Sequence, residues 1–193
     1  MSSSETAQKN WQLNRGVTVW FTGLPSSGKS TIARALERLL KKAGLEAELL
    51  DGDVVRTHLS KDLGFSREDR DTNIKRIGFV CHLLTKHGVA AIASLVSPYR
   101  DSREANRRLI GSFVEVYVKA SSDACAKRDV KGLYQKARAG EIKGFTGVDD
   151  PYEEPENAEV VCDTEHETAE ESLAKVVSCL ESLGYLKRAG LSV

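Results

Sequence analysis

Apolar residues along this chain gather in short runs, and the stretches between the runs are more polar. The runs are rich in Val, Ile and Ala and show little polar alternation, which is typical of parallel strands that are covered on both faces. They predict five buried strands, over residues 17–23, 46–53, 89–97, 114–120 and 158–164.

Two of the stretches between the runs have the spacing of amphipathic helices. Thr168 and Glu171 stand before the second stretch in the pattern of a capping box. This alternation predicts an α/β fold of three layers, in which helices cover both faces of a mostly parallel five-stranded sheet. The apolar helix positions are Ile32, Leu36, Leu39 and Leu40, and then Leu173, Val176, Val177, Leu180 and Leu183.

Ligands of such sheets bind where the strands end at their carboxyl edge. Four stretches of the chain meet this condition and are expected to point into one cleft. They are residues 23–30, 51–53, 95–100 and 162–166.

One long segment, residues 131–155, interrupts the alternation. It reads "KGLYQKARAGEIKGFTGVDDPYEEP" and is rich in glycine, which is typical of a lid over an active site. A solvated surface loop is the alternative, but the aromatic and basic residues of the segment favour a lid. A chain of 193 residues suits one domain. We therefore predict a single domain over 15–186 with this lid, between flexible tails at 1–14 and 187–193.

Composition and charge narrow the class of protein. Lys and Arg number 28, equal to Asp and Glu, so nothing in the net charge suggests a nucleic acid or a membrane as partner. The sequence has neither a secretory signal at its first residues nor an apolar stretch of membrane-spanning length, which predicts a cytoplasmic protein. The four cysteines lack C-x-x-C spacing and are expected to be free thiols.

A glycine-rich loop carries the strongest chemical signal. Residues 23–31 read "GLPSSGKST" and match G-x-x-x-x-G-K-[ST] between a predicted strand and a predicted helix. Such a loop directs backbone N–H groups at phosphate oxygens, so the fold is of the P-loop NTPase type. Lys29 is expected to reach the β- and γ-phosphates of ATP, and Ser30 to bind Mg²⁺. The predicted ATP-binding residues are Gly23, Ser26, Ser27, Gly28, Lys29, Ser30 and Thr31.

The rest of the chain indicates how the triphosphate is used. A GTPase would need an N-K-x-D motif after a later strand, and the "TNIK" at 72–75 has the wrong order and precedes the third strand. The chain is also short for a mechanochemical ATPase. A small kinase, which presents the γ-phosphate to a second substrate, fits best.

Two carboxylates follow the second predicted strand in "DGDVVR". Asp51 and Asp53 can support the hydration shell of Mg²⁺, and one of them can accept a proton from an attacking hydroxyl. The alternative is that they form a turn and cap a helix that begins near Val54. Capping does not exclude catalysis, so we assign Asp51 with Ser30 to the metal and Asp53 to the chemistry.

The next segment suits an anionic nucleotide as acceptor. Arg56 and Arg70 can pair with phosphate or sulfate, Asn73 can hydrogen bond, and Phe65 can stack on a base.

With these residues assembled, the chain resembles the adenylylsulfate kinase (APS kinase) family over residues 14–186. The resemblance implies a P-loop kinase, usually homodimeric, that uses MgATP to phosphorylate the 3′-hydroxyl of adenosine 5′-phosphosulfate (APS). The product is 3′-phosphoadenylylsulfate (PAPS), in sulfate activation, and an association with ATP sulfurylase follows from the same resemblance. The matching motifs are "GLPSSGKST", "DGDVVR", "LGFSREDRDTNIKRIG", "SPYRDSR", "RDVKGLYQKARAGEIKGFTGVDDPYE" and "PENAEVV".

The resemblance also implies individual roles. It places Asp53 near the 3′-hydroxyl and Phe65 and Phe145 on either side of the APS adenine. It marks Ser97 as an active-site residue. Some descriptions of the family give this serine a phosphorylated intermediate, which direct in-line transfer does not require. The catalytic residues are then Lys29, Asp53 and Ser97. The implied substrate-binding residues are Asp53, Arg56, Phe65, Arg70, Asn73, Val96, Ser97, Lys131, Gly144 and Phe145.

Two alternatives to this function stay open from the sequence. One is a kinase of another small nucleotide or metabolite on the same scaffold. The other is a non-catalytic nucleotide-binding module that regulates a sulfurylase, which the intact Gly28-Lys29-Ser30 and Asp51-Gly52-Asp53 disfavour.

Overall fold

The structure is a computed structural model that describes residues 11–188, and its core is one parallel sheet of five strands. The sheet order is β3-β4-β2-β5-β6, and each neighbouring pair is parallel. The strands are β2 (Val17–Thr22), β3 (Ala47–Asp51), β4 (Ala90–Ser94), β5 (Phe113–Lys119) and β6 (Val160–Asp163). All five predicted strands are confirmed, and the predicted fold class with them.

Seven helices in the described part of the chain connect the strands. Both predicted helices are present, and the second begins with the predicted capping box of Thr168 and Glu171. The helices are α1 (Lys29–Lys42), α2 (Gly52–His58), α3 (Arg67–Lys86), α4 (Arg100–Ile110), α5 (Ser122–Arg128), α6 (Leu133–Arg138) and α7 (Ala169–Ser182).

The two faces of the sheet bury two separate apolar layers. On one face, Leu36 of α1 and Leu180 of α7 pack with the odd-numbered residues of β2, such as Val19. On the other face, Ile77 of α3 packs with Trp20. Burial of each such side chain stabilises the fold by roughly 1.5–3 kcal/mol, and together they hold the ends of the strands in fixed positions.

A two-stranded antiparallel ribbon corrects the predicted domain boundaries. Strand β1 (Trp11–Leu13) pairs with β7 (Leu186–Arg188), so residues 11–13 and 187–188 are not part of flexible tails. Arg188 lies over the Trp11 ring, 5.3 Å from its centroid, and Leu13 packs against the main core. These contacts between distant positions have no local signal. The remainder of both predicted tails, residues 1–10 and 189–193, lies outside the described residues.

The predicted free thiols are found among the described residues. Cys81, Cys125 and Cys162 are buried and Cys179 is partly buried, and none of the four is in a disulfide. Within residues 11–188, no helix has the length and apolarity that a membrane crossing requires.

Candidate active site

The phosphate-binding loop connects β2 to α1, and the predicted ATP-binding residues lie in this loop and in the first turn of α1. Gly23 is required at its start, because a Cβ there would lie 2.4 Å from the Val118 carbonyl oxygen. Gly28 caps α1 with a φ of 102°, which favours glycine, and Ser26 also has a positive φ, of 61°. The backbone therefore curls tightly over the N-terminus of a 14-residue helix, as phosphate binding requires.

Lys29, the lysine of this loop, is buried beneath it. Its Nζ donates to the Leu24 carbonyl at 2.6 Å and to Ser27 Oγ at 3.4 Å. Burial away from water lowers the pKa of Lys29 from 10.5 to about 8. An ammonium group with so little solvent around it is poised to exchange these neutral acceptors for phosphate oxygens.

Hydroxyl and carboxylate oxygens meet at the start of α1. Ser30 Oγ lies 3.2 Å from Ser94 Oγ, at the end of β4. Asp51 is buried at the end of β3, in register with Ser94, and accepts from Arg34 Nη2 at 3.2 Å. These oxygen donors are of the type that Mg²⁺ prefers, since it is usually held by few protein ligands, phosphates and water. Ser94 was missed by sequence reasoning, although its place at the end of a buried strand was a usable signal.

The two aspartates of "DGD" do not point the same way, because α2 begins between them at Gly52. Asp51 caps this helix by accepting from the Asp53 backbone N–H at 3.2 Å, as the capping alternative foresaw. The side chain of Asp53 is instead 75% exposed, and it pairs with Lys131 at the start of the lid. Asp53 is therefore the carboxylate available to an incoming substrate.

Phe65 and two arginines form the opposite wall of the cleft. The guanidinium of Arg56 lies over the Phe65 ring, 4.2 Å from its centroid, and Arg56 Nη1 donates to the Gly64 carbonyl at 2.9 Å. Arg70 donates from Nε to the Phe65 carbonyl at 2.9 Å. These contacts fix the backbone of the Phe65 segment while its ring remains 64% exposed, which leaves a face free for stacking.

Arg70 also joins this wall to the predicted lid. It donates to the Gly144 carbonyl and, at 2.8 Å, to Thr146 Oγ1. Phe145, between these two residues, packs edge-on against Tyr134 with ring centroids 5.0 Å apart. One guanidinium thus tethers the segments that carry both predicted adenine-stacking rings.

The lid is an ordered segment, which contains helix α6 and several internal hydrogen bonds. Asp149 accepts from the backbone N–H groups of Gly144 and Phe145, at 2.8 and 2.6 Å. Tyr134 Oη donates to the Pro25 carbonyl of the phosphate-binding loop at 3.1 Å. The lid therefore lies against the phosphate site in this structure.

The remaining predicted acceptor residues lie deeper in the fold. Asn73 is buried on α3, and its Oδ1 has no hydrogen-bond partner among the described residues. Ser97 is 2% exposed; its Oγ donates to Thr22 Oγ1 at 2.9 Å and accepts from Trp20 Nε1 at 3.1 Å. The Ser97 hydroxyl is therefore engaged inside the protein. Val96 precedes it, and the Val96 carbonyl accepts from Thr22 at 2.8 Å.

Thr164, from the predicted stretch 162–166, and Arg128, which was not predicted, complete the rim of the phosphate loop. Thr164 Oγ1 donates to the Ser27 carbonyl at 2.8 Å. Arg128, at the end of α5, donates to Thr164 Oγ1 at 3.0 Å and approaches the same Ser27 carbonyl. Arg128 opens the "RDVKGLY" motif, but nothing in that motif indicates a position beside residues 23–31.

Comparison with known proteins agrees with this geometry. A family model described as adenylylsulphate kinase matches residues 15–163. The adenylyl-sulfate kinase of Picosynechococcus sp. is 62% identical over 90% of this chain and 98% of its own length.

Solved structures show the same likeness. The Mycobacterium tuberculosis APS kinase CysC, in complex with AMPPNP and APS, superimposes with a TM-score of 0.84 at 42% identity, over 86% of this chain and 98% of that one. A hexameric APS kinase from Thiobacillus denitrificans gives a TM-score of 0.69 at 38% identity, over 91% of this chain and 30% of that chain. Since the family model spans most of the chain and the P-loop, Asp53 and lid occupy one cleft, this protein belongs to the adenylylsulphate kinase family.

Proposed function

We propose that this protein transfers the γ-phosphoryl group of ATP to the 3′-hydroxyl of APS, giving ADP and PAPS, for sulfate activation. The observation that carries the proposal is the position of Asp53. Its exposed carboxylate stands two residues beyond Asp51, the last residue of β3. Asp51 is in register with Ser94, and Ser94 contacts Ser30 in the first turn of α1. An acceptor hydroxyl bound at Asp53 is thereby brought next to the phosphates of ATP.

The transfer forms one bond and breaks one. The 3′-oxygen of APS attacks the γ-phosphorus in line, the bond from that phosphorus to the bridging oxygen of ADP breaks, and the hydroxyl proton passes to the Asp53 carboxylate. Lys29 stabilises negative charge on the transferred group, after its Nζ leaves the Leu24 carbonyl.

The acceptor is held by the lid and by the wall that faces it. Phe65 and Phe145 enclose the adenine, while Arg56 and the backbone at Val96–Ser97 line the acceptor site. Lys131 pairs with Asp53 in this structure, and in the proposed complex it turns to the phosphosulfate and releases the carboxylate.

Arg70 supports the site mainly by tethering the two ring-bearing segments, because three of its N–H groups are already used. Asn73 offers its Oδ1, which has no hydrogen-bond partner within residues 11–188.

Ser30 and Asp51 fit a Mg²⁺ ion that is bound chiefly by the triphosphate. The ion supplies charge neutralisation at the β- and γ-phosphates. Ser30 would bind it directly and Asp51 through water, since Arg34 already pairs with the Asp51 carboxylate. Loss of transfer on chelation, with recovery on added Mg²⁺, tests this assignment.

The acceptor is tested by offering ATP with APS, AMP, CMP, shikimate or gluconate in turn and measuring ADP release. We expect ADP with APS alone, together with PAPS in equal amount. Turnover with another acceptor and none with APS would assign the scaffold to a different metabolite. Tight PAPS binding without any turnover would instead identify a regulatory nucleotide-binding module.

ATP binding is expected to weaken as the pH rises above about 8. Since ATP binds the protonated form of Lys29, affinity is complete below the pKa of the free protein and is lost as the pH rises through it. We expect the dissociation constant of an ATP analogue to increase about tenfold per pH unit in this range. Calorimetric titration between pH 7 and 10 measures it. A flat profile would contradict the assignment, and Lys29→Met serves as the control without the titrating group.

Three further expectations concern the protein's partners and location. We infer a homodimer from the resemblance, with support from the exposed Phe79 and Leu83, which lie one turn apart on α3. Analytical ultracentrifugation of the wild type and of Phe79→Asp tests it, and a monomeric wild type would refute it. Cytoplasmic location and association with ATP sulfurylase stay predictions; fractionation and co-purification would test them.

A further inference from the structure

A buried arginine behind the acceptor site has no part in the mechanism above. Arg103 lies on α4 and is 2% exposed. Its Nε donates to Glu115 Oε1 at 2.8 Å, its Nη1 to the Ser97 carbonyl at 2.7 Å and its Nη2 to the Glu153 carbonyl at 2.7 Å. These short, charge-assisted bonds hold three separate segments on one rigid guanidinium.

Charge balance alone does not explain this arrangement. Glu115 already receives a second cation, because Arg107 Nη2 lies 3.2 Å from its other carboxylate oxygen. Only one of the three donor atoms of Arg103, Nε, takes part in the ion pair. The other two donate to backbone carbonyls in the loop after β4 and at the C-terminal end of the lid.

The first of these carbonyls belongs to a strained residue. Ser97 has a φ of 39°, in the left-handed region that residues other than glycine rarely occupy. Such a conformation persists only where its surroundings enforce it, and it often marks a functional site. Arg103 binds the carbonyl of this residue directly, in the loop that we place beside the acceptor.

The second carbonyl belongs to the base of the lid, which is attached to the same loop. Glu153 donates its N–H to the Pro98 carbonyl at 2.9 Å, and its carboxylate accepts from the Arg100 N–H at 2.7 Å. Tyr152 Oη lies 2.9 Å from Thr22 Oγ1. The lid base and the loop after β4 are therefore one bonded unit, with Arg103 at its centre.

We propose that Arg103 is a positioning residue for the acceptor, which fixes the Ser97 backbone and the base of the lid relative to each other. This inference rests on the proposed function. With its base fixed in this way, the lid holds the aromatic ring of Phe145 in one position over the acceptor.

The test compares Arg103→Lys with Arg107→Lys. Lysine keeps the charge beside Glu115 but cannot reach both carbonyls with a planar fork. Arg107 is a matched control, because it pairs with Glu115 and Glu159 without touching the loop or the lid base. For Arg103→Lys we expect KM for APS to rise about tenfold or more, with kcat falling less and KM for ATP within roughly twofold. For Arg107→Lys we expect all three to stay near the wild-type values.

A purely structural role would lower the melting temperature without this selective rise in KM for APS. A folded Arg103→Lys protein whose KM for APS matches that of Arg107→Lys would overturn the proposal.

If Arg103→Lys does not fold, hydrogen exchange on the wild type decides. We expect the Glu153 amide to exchange at least about tenfold more slowly than those of Ile142 and Lys143 in the lid. Equal rates would overturn the fixed base. A wild type that does not phosphorylate APS would refute the proposed function alone, because the exchange measurement needs no substrate.

Discussion

An Asp53→Asn variant is expected to lose about 10³-fold in kcat, with KM for ATP close to that of the wild type. Asparagine has nearly the same shape but cannot accept the proton of the 3′-hydroxyl. The fold should not suffer, because the Asp53 side chain is 75% exposed and the helix cap is supplied by Asp51. Steady-state assay of PAPS formation at saturating ATP and APS measures the effect.

Two comparisons make this result specific. Asp62→Asn is the matched control, since Asp62 is an exposed aspartate that pairs with Arg76, and its activity should be unchanged. Asp53→Ala should be as slow as Asp53→Asn if the carboxylate takes the proton. An asparagine variant that stays within about tenfold of wild type, while alanine is inactive, would mean that Asp53 only aims the hydroxyl. Near-normal rates for both would refute the assignment.

A Lys29→Met variant is expected to lose about 10³-fold in kcat/KM for ATP, because the cation that meets the β- and γ-phosphates is removed. Stability gives a second readout. Burial holds the pKa of Lys29 at about 8, which means that the folded protein disfavours the charged form. Methionine of similar length carries no such penalty, so its melting temperature at pH 7 should be no lower than that of the wild type.

Lys41→Met is the control for this experiment. Lys41 lies on the same helix, α1, where it is exposed and pairs with Glu37 at 2.7 Å. Its replacement should leave both kinetic constants unchanged. Full activity of Lys29→Met would contradict the phosphate-binding role, and a lowered melting temperature would attribute the loss to unfolding instead.

Much of the fold followed from local patterns. The five strands, the first and last helices and the capping box at Thr168 depend on residues that are close in sequence, so their signals are readable there. The ribbon of β1 and β7 was missed, because Trp11 and Arg188 are brought together by the completed domain alone.

The candidate site divides in the same way. The P-loop is continuous in sequence, and its glycine, lysine and serine positions identify phosphate binding by backbone chemistry that tolerates few alternatives. The different environments of Asp51 and Asp53 depend on where α2 begins, since Asp51 is its buried cap and Asp53 lies in its exposed first turn. Ser94, Arg128 and Arg103 acquire meaning through neighbours that lie far away in the chain.

The sequence by itself identified a triphosphate-binding motif, favoured a small kinase, and resembled kinases of APS. These properties reside in contiguous motifs, where local chemistry is sufficient. Only the tertiary structure decided that Lys29 is buried with a lowered pKa, that Ser97 is strained and enclosed, and that Arg103 binds the base of the lid to the loop after β4. Burial, strain and long-range hydrogen bonds arise from packing between segments, which no short stretch of sequence records.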